Sequence, residues 1–175
     1  MKHSALIDNL LQEFTHYLGP DYDKYRNHVH RVFLNCLLLD REKENEEKYA
    51  IAAVFHDIGI WTNHTIDYLD PSIEQAKKYL NETGRTNWID EISLMIDWHH
   101  KVSSYKGPYS QTTGTFRKAD WIDVSLGLLQ FGADKKETRE NRRRFPNRRF
   151  HWFLVKKIIR NFFSHPLHPL PMFRK

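Results

Sequence analysis

The sequence predicts an all-α protein that folds as a single-domain helical bundle. Apolar residues recur at intervals of three and four along each long segment, which is the period of an amphipathic helix. Capping residues, glycines and prolines divide the chain into segments of helical length. The sequence contains no convincing strand pattern, internal repeat or low-complexity linker, and 175 residues suit one domain with a substantial core.

The first half of the chain predicts three helices. The first helix is expected to end at Gly19-Pro20, and Asp21 or Asp23 opens the second. The acidic run at residues 44–47 suits the first turn of a third helix, where the helix dipole favours negative charge. Gly59 lies just past the end of that helix and is expected to stop it.

The second half continues the helical pattern. Asp70-Pro71 predicts a helix start, with a capping residue followed by proline at the first helical position, and Asn87 can cap the next helix. A loop is expected from Ser103 to Gly114. A helix through residues 116–126 follows, and an aromatic helix is expected from about residue 148 to 163, packed into the core or an interface.

The composition restricts the class of protein. A single cysteine, Cys36, rules out an internal disulfide framework and fits a reducing compartment. No apolar run of about 18 residues is present to span a membrane, and the N-terminus lacks the apolar region of a signal peptide. The expected location is therefore the cytoplasm.

The net charge of +5 arises late in the chain, above all in the Arg-rich segment 139–149. Such a block can attract nucleic acid or a lipid surface, but charge runs are more often a solvated face with helix-end charges. The proline-rich tail at 165–171 cannot be helical and is expected to be extended.

A histidine and an aspartate stand together where the apolar run 49–55 ends, at His56-Asp57. Burying a carboxylate without a partner costs several kcal/mol, and a metal ion can satisfy an imidazole and a carboxylate together. Neighbours in a helix point about 100° apart, so the pair can chelate one ion most easily at a helix end. His28 and Asp120 each lie within another apolar helical stretch. Mixed imidazole and carboxylate ligands suit Mn, Fe, Co, Ni or Zn.

Three segments carry a family resemblance: residues 25–32 (YRNHVHRV), 52–59 (AAVFHDIG) and 118–120 (KAD). Together they resemble the HD-domain metal-dependent phosphohydrolase superfamily over about residues 22–126. The resemblance implies one HD-like domain over 1–175, with a basic and aromatic C-terminal region at 134–175.

The resemblance also implies a metal-binding set. In family order, the set is His28, His56, Asp57 and Asp120. The family places its first histidine three residues before an Arg-Val pair, which selects His28 over His30.

Further histidines are candidates for a second metal site or a phosphate contact. The pair His99-His100 is expected at a helix end, which resembles the usage of members that bind two metals, and His64 lies in the connection after His56-Asp57. For each of the three, an ordinary surface histidine is the alternative. The Gly-Tyr-Pro signature of the cyclic-dinucleotide branch does not follow the pair.

The catalytic candidates are a carboxylate and several cations. The resemblance suggests that Asp57 orients the nucleophilic water as well as binding metal. Arg31, Lys101 and Lys118, with Arg117, are candidates to stabilise negative charge on the phosphate because they lie near the ligands in sequence.

These features together predict a metal-dependent phosphohydrolase that cleaves a nucleotide or another small phosphoester with a metal-activated water. One alternative is an HD-type di-iron oxygenase, which would use the extra histidines. Another is a non-catalytic module that binds nucleic acid or a partner through the basic C-terminal segment. The aromatic C-terminal helix could also bury a homodimer contact.

Overall fold

The computed structural model describes residues 2–65, 67–148 and 150. Throughout these residues the chain forms helices joined by turns and short loops, without a strand, which confirms the predicted all-α fold. The helices are α1 (Lys2–Glu13), α2 (Thr15–Leu18), α3 (Tyr22–Leu39), α4 (Lys43–Phe55), α5 (Gly59–Thr62), α6 (Leu69–Glu82), α7 (Ile89–Trp98), α8 (Ser110–Val124) and α9 (Lys135–Arg144).

Helix α4 lies at the centre of the bundle. It packs against α1, α3, α6 and α7, and every residue from Tyr49 to Phe55 is buried. A helix that is apolar nearly all round must be covered on all sides, which explains this central position. Helix α8 packs against α3 and α7, so the end of α4 faces the middle of both α3 and α8 across the core.

Gly59 has a different role from the predicted one. Helix α4 ends at Phe55, four residues earlier, and Gly59 begins α5. A Cβ atom at Gly59 would lie 2.5 Å from the carbonyl oxygen of Tyr68, and the Gly59 N–H donates to Ser72 Oγ at 3.0 Å. Gly59 is therefore required for close packing of α5 against the start of α6, and a turn ends α4 instead.

The predicted loop from Ser103 to Gly114 is too long, because Ser110–Gly114 form the first turns of α8. The Thr112 hydroxyl donates to the buried carboxylate of Glu91 at 2.7 Å. Tertiary packing against α7 thus overrides the low helix propensity of this Ser-, Thr- and Gly-rich stretch. Asp70, predicted as a cap, lies inside the first turn of α6.

The Arg-rich segment forms α9, which packs on α3. The Asp134 side chain caps α9 by accepting from the N–H groups of Lys136 and Glu137 at 2.7 and 3.0 Å. The predicted aromatic helix at 148–163 and the proline-rich tail lie outside the described residues, except for Arg148 and Phe150. Across the part of the chain that is described, no helix is long and apolar enough to cross a membrane.

Candidate metal centre

The structure brings the four predicted ligands together in the core. His28 comes from α3, Asp120 from α8, and the neighbours His56 and Asp57 from the turn that follows α4. All four are at most 3% exposed. The Nε2 atom of His28 lies 3.0 Å from His56 Nε2, 3.7 Å from Asp57 Oδ2 and 3.6 Å from Asp120 Oδ1.

His56 and Asp57 face the same point at the end of α4. His56 keeps helical backbone angles there, with φ −56° and ψ −37°, and its N–H donates to the carbonyl oxygen of Ala52 at 2.9 Å. His56 Nε2 lies 3.3 Å from Asp57 Oδ2. The Tyr25 hydroxyl fixes the turn, since it donates to Val54 O at 2.8 Å and accepts from the Asp57 N–H at 3.3 Å.

Hydrogen bonds assign the tautomers of the two histidines. His28 Nδ1 lies 2.7 Å from Asp123 Oδ2, and His56 Nδ1 lies 2.8 Å from the carbonyl oxygen of Ala53. Carboxylates and carbonyls only accept, so each Nδ1 donates and each Nε2 is turned toward the other ligands. Two Nε2 atoms 3.0 Å apart must share a proton or a metal cation, since two bare lone pairs at that distance would repel each other.

The spacing and charge of the cluster suit a divalent ion. Ligands about 2.1 Å from one ion lie about 3.0–3.4 Å apart, close to the separations seen here. Burial lowers the pKa of His28 to about 4, so its imidazole is neutral at neutral pH. Burial, with the negative charges of Asp57 and Asp123, raises the pKa of Asp120 to about 8. A bound cation would therefore stabilise the ionised carboxylates.

A second group of potential ligands adjoins the first and shares Asp57 with it. Asp57, His99 and His100 each offer a ligand atom, all within 4.8 Å of one another. His99 Nε2 lies 3.5 Å from Asp57 Oδ1, and neither atom has a hydrogen-bond partner among the described residues. His99 Nδ1 donates to Ile96 O at 2.5 Å, which turns Nε2 toward Asp57. The Tyr68 hydroxyl is hydrogen-bonded to His100 Nε2.

Two other histidines lie away from the centre. His64 is exposed, with a left-handed φ of 52°, so the structure does not support its predicted role as a ligand. His30 bonds Asp8 at 2.8 Å and stacks on the Phe145 ring at 4.5 Å, as expected for the histidine that the family pattern does not select.

Arg31 lies behind the centre and not within it. Its guanidinium donates to both Asp123 oxygens at 2.6 and 2.9 Å and to Phe145 O at 2.8 Å. These bonds use three of its five N–H donors and hold the guanidinium against Asp123, which gives Arg31 a structural role. Asp123, held by Arg31, in turn orients His28.

Three further cations were predicted to contact phosphate: Lys101, Arg117 and Lys118. Lys101 Nζ lies 5.6 Å from the centre of the Trp98 ring. Arg117 Nη1 donates to the carbonyl oxygen of Lys101 at 3.2 Å. Lys118 is half-buried and lies two residues before Asp120, about 200° around α8. Among the described residues, none of the three has a hydrogen bond or ion pair with the cluster of His28, His56, Asp57 and Asp120, and their roles at phosphate stay predictions.

Sequence analysis did not assign a site role to Asp123, Tyr25 or Tyr68. Spacing could have indicated two of them, because Asp123 follows Asp120 by three positions and Tyr25 precedes His28 by three, so each shares a helix face with a ligand. Phe150 is also part of the surroundings, since its ring stacks on His28 with the ring centroids 4.2 Å apart.

Comparison with known families agrees with this geometry. The profile of the HD domain family matches residues 25–125, which is more than half of the chain. No curated protein and no solved structure matches the chain significantly. The histidine, the His-Asp pair and the later aspartate all fall within the matched segment, in the order typical of that family. The chain therefore belongs to the HD-domain superfamily of metal-dependent phosphohydrolases.

Proposed function

We propose that the protein hydrolyses a nucleotide or another small phosphoester in a metal-dependent reaction. HD-domain proteins are generally metal-dependent hydrolases. The observation that supports the proposal most strongly is the pair of imidazole nitrogens, Nε2 of His28 and Nε2 of His56, which face each other at 3.0 Å in the core. A divalent transition metal such as Mn, Fe, Co, Ni or Zn would satisfy both, together with Asp57 and Asp120.

The side chains of the centre have distinct roles in this proposal. When bound, a divalent ion supplies an acidified water and polarises a phosphoryl oxygen. In this proposal Asp57 Oδ1 accepts a proton from the attacking water, which is supported by its lack of a hydrogen-bond partner among the described residues. The water attacks phosphorus, and the bond from phosphorus to the leaving oxygen breaks.

Burial of the centre also favours a small substrate. The four central side chains are 0–3% exposed, so a terminal phosphate reaches them more easily than the backbone of a long nucleic acid. Their low-dielectric surroundings strengthen the interactions between charges.

The test combines elemental analysis with a panel of nucleotides and generic phosphoesters, assayed with Mn, Co or Ni. His56→Ala should lose both bound metal and phosphate release, because it removes one of the facing nitrogens. His64→Asn is the matched control and should retain both, since His64 is exposed and asparagine tolerates a left-handed φ. The proposal fails if metal-loaded protein cleaves nothing in the panel while His56→Ala still loses the metal.

The shared carboxylate favours a second candidate function, a di-iron oxygenase. Asp57 Oδ2 faces His28 and His56, whereas Asp57 Oδ1 faces His99. A carboxylate in this position can bridge two ions. This function requires two irons per chain and consumption of O₂, with His99→Ala losing one iron. One metal per chain, or two without oxygen consumption, would contradict it.

A further inference from the structure

An exposed apolar loop follows α8 at residues 126–131. Its large apolar side chains are Leu126, Leu128, Leu129 and Phe131, which are 53%, 87%, 43% and 40% exposed. Single exposed apolar residues are ordinary, but four within six residues concentrate exposed apolar surface in one loop, as is typical of an interaction surface.

The conformation of the apolar loop is fixed by its own hydrogen bonds. The Gly127 N–H donates to Ile122 O at 2.8 Å, and the Leu129 N–H donates to Ser125 Oγ at 3.1 Å. Leu126 has a left-handed φ of 55°, which is uncommon for a residue with a large side chain. The exposure of the leucines is thus a property of an ordered backbone.

Helix α9 lies directly beside the apolar loop. The Arg142 guanidinium covers Gly127 so closely that a Cβ atom there would be 2.2 Å from Arg142 Nη2. The Thr138 hydroxyl donates to the side-chain oxygen of Gln130 at 3.1 Å. The apolar loop and α9 therefore form one continuous surface.

This surface is strongly basic on the side of α9. The helix carries six lysines and arginines against two glutamates. Lys135, Arg139 and Arg142 follow the spacing i, i+4, i+7, so they share one face of α9, and Arg142 marks that face as the one next to the loop. We call these three residues the basic stripe.

We propose that the apolar loop and the basic stripe together dock the protein on an anionic lipid bilayer. Leucine and phenylalanine side chains gain free energy by entering the boundary between headgroups and acyl chains, and neighbouring cations are attracted to anionic headgroups. A nucleic acid would satisfy the cations but would leave the loop leucines in water, so the combination favours a bilayer. The four central side chains of the metal centre are buried and are not part of this surface.

Sedimentation with lipid vesicles tests the proposal on the full chain. Vesicles of phosphatidylcholine with about 30% phosphatidylglycerol should bind the protein, and vesicles of phosphatidylcholine alone should bind it at least tenfold more weakly, because of the anionic-lipid contribution. Binding should weaken as salt rises, because salt screens the cations.

Two double variants separate the apolar and charged contributions. Leu128→Ser with Leu129→Ser should lower partitioning into anionic vesicles about tenfold. Leu128→Phe with Leu129→Phe keeps the loop apolar and should partition like the parent protein. Lys135→Gln with Arg139→Gln should also lower partitioning about tenfold. The matched controls lie elsewhere on the surface and should bind like the parent protein: Val102→Ser, at an 80% exposed position, and Lys77→Gln with Lys78→Gln on α6.

Several results would overturn the proposal. It is wrong if the protein binds neither type of vesicle, if it binds both equally, or if the serine variant of the apolar loop or the glutamine variant of the basic stripe partitions like the parent protein. It is also wrong if double-stranded RNA displaces the vesicles and binds in a way that the charge variant weakens but the leucine variant does not. That result would assign the basic stripe to nucleic acid.

Discussion

Asp123→Asn should weaken metal binding even though Asp123 lies behind the four central side chains. In the native protein, the Asp123 carboxylate accepts from His28 Nδ1 at 2.7 Å and from Arg31 at 2.6 and 2.9 Å. In the variant, an amide oxygen at the Oδ2 position can still accept from His28 Nδ1 and Arg31 Nη2, but the amide NH₂ then faces the Arg31 Nε–H. A neutral amide is also a weaker acceptor than a carboxylate, so it orients the His28 ring less firmly and makes Nε2 a poorer metal ligand.

The size of this effect follows from the position of Asp123. Loss of a carboxylate that orients a metal-binding histidine typically costs about 10–100-fold in metal affinity, or about 1.4–2.7 kcal/mol. Arg31 is 1% exposed and loses part of its fork, so the fold should also lose about 3 kcal/mol of stability.

Two measurements separate these effects. Competition with a chromophoric chelator gives the affinity for Co or Zn, and urea unfolding gives the stability. Adding Arg31→Met to Asp123→Asn should recover part of the metal affinity, because it removes the Arg31 Nε–H that the amide NH₂ would face and so lets the amide oxygen stay on His28. Asp8→Asn is the matched control, since Asp8 joins His30 to Arg26 at 2.8 Å on each side in a similar arrangement.

The reasoning is refuted if folded Asp123→Asn protein binds metal as tightly as the parent protein. It is also refuted if Asp8→Asn weakens metal binding to the same extent, because the effect would then not arise from the orientation of His28.

Gly59→Ala should lower the free energy of unfolding by about 1–3 kcal/mol, since the new Cβ meets the Tyr68 carbonyl, whereas Gly114→Ala meets no atom within 4 Å and should stabilise α8. Equal effects in urea unfolding would contradict this assignment. Burial tends to raise the pKa of Asp40, but the hydrogen bond from the Tyr49 hydroxyl at 2.6 Å and two further donors hold it below its usual value. Asp40→Asn should therefore lower the free energy of unfolding above about pH 4, and the gap between variant and parent should vanish as pH falls through the lowered pKa of Asp40. A gap that acid leaves unchanged would show that the ionised Asp40 carboxylate is not its source. Chelation of bound metal should lower the calorimetric unfolding midpoint, because a ligand at about 1,000 times its Kd stabilises the fold by about 4 kcal/mol; an unchanged midpoint would mean that no metal is bound to the folded state.

Local patterns account for the parts of the centre that could be predicted. The apolar run of α4 indicated that whatever follows it enters the core, so a carboxylate at Asp57 required a partner there. Helical periodicity placed His28 and Asp120 on buried faces of α3 and α8. The ends of short helices and the function of Gly59 were less accessible, because they depend on residues such as Tyr68 that approach only in the folded chain.

The roles of the charged residues could not be predicted for the same reason. Arg31 and Asp123 are 92 positions apart in the sequence, and only the packing of α3 on α8 joins them. In the sequence alone, a cation three residues after His28 fits a phosphate contact equally well. Likewise, the pairing of Thr112 with Glu91 keeps the start of α8 helical against its local propensity.

Anomalous X-ray diffraction from crystals grown with Co or Mn locates a bound metal and so decides whether the four central side chains bind one. We expect an anomalous peak about 2.0–2.3 Å from the Nε2 atoms of His28 and His56, with Asp57 and Asp120 completing the coordination. A second, weaker peak between Asp57 and His99 would indicate a binuclear centre. A peak only at surface positions such as His64, with none between His28 and His56, would show that these side chains are not a metal site.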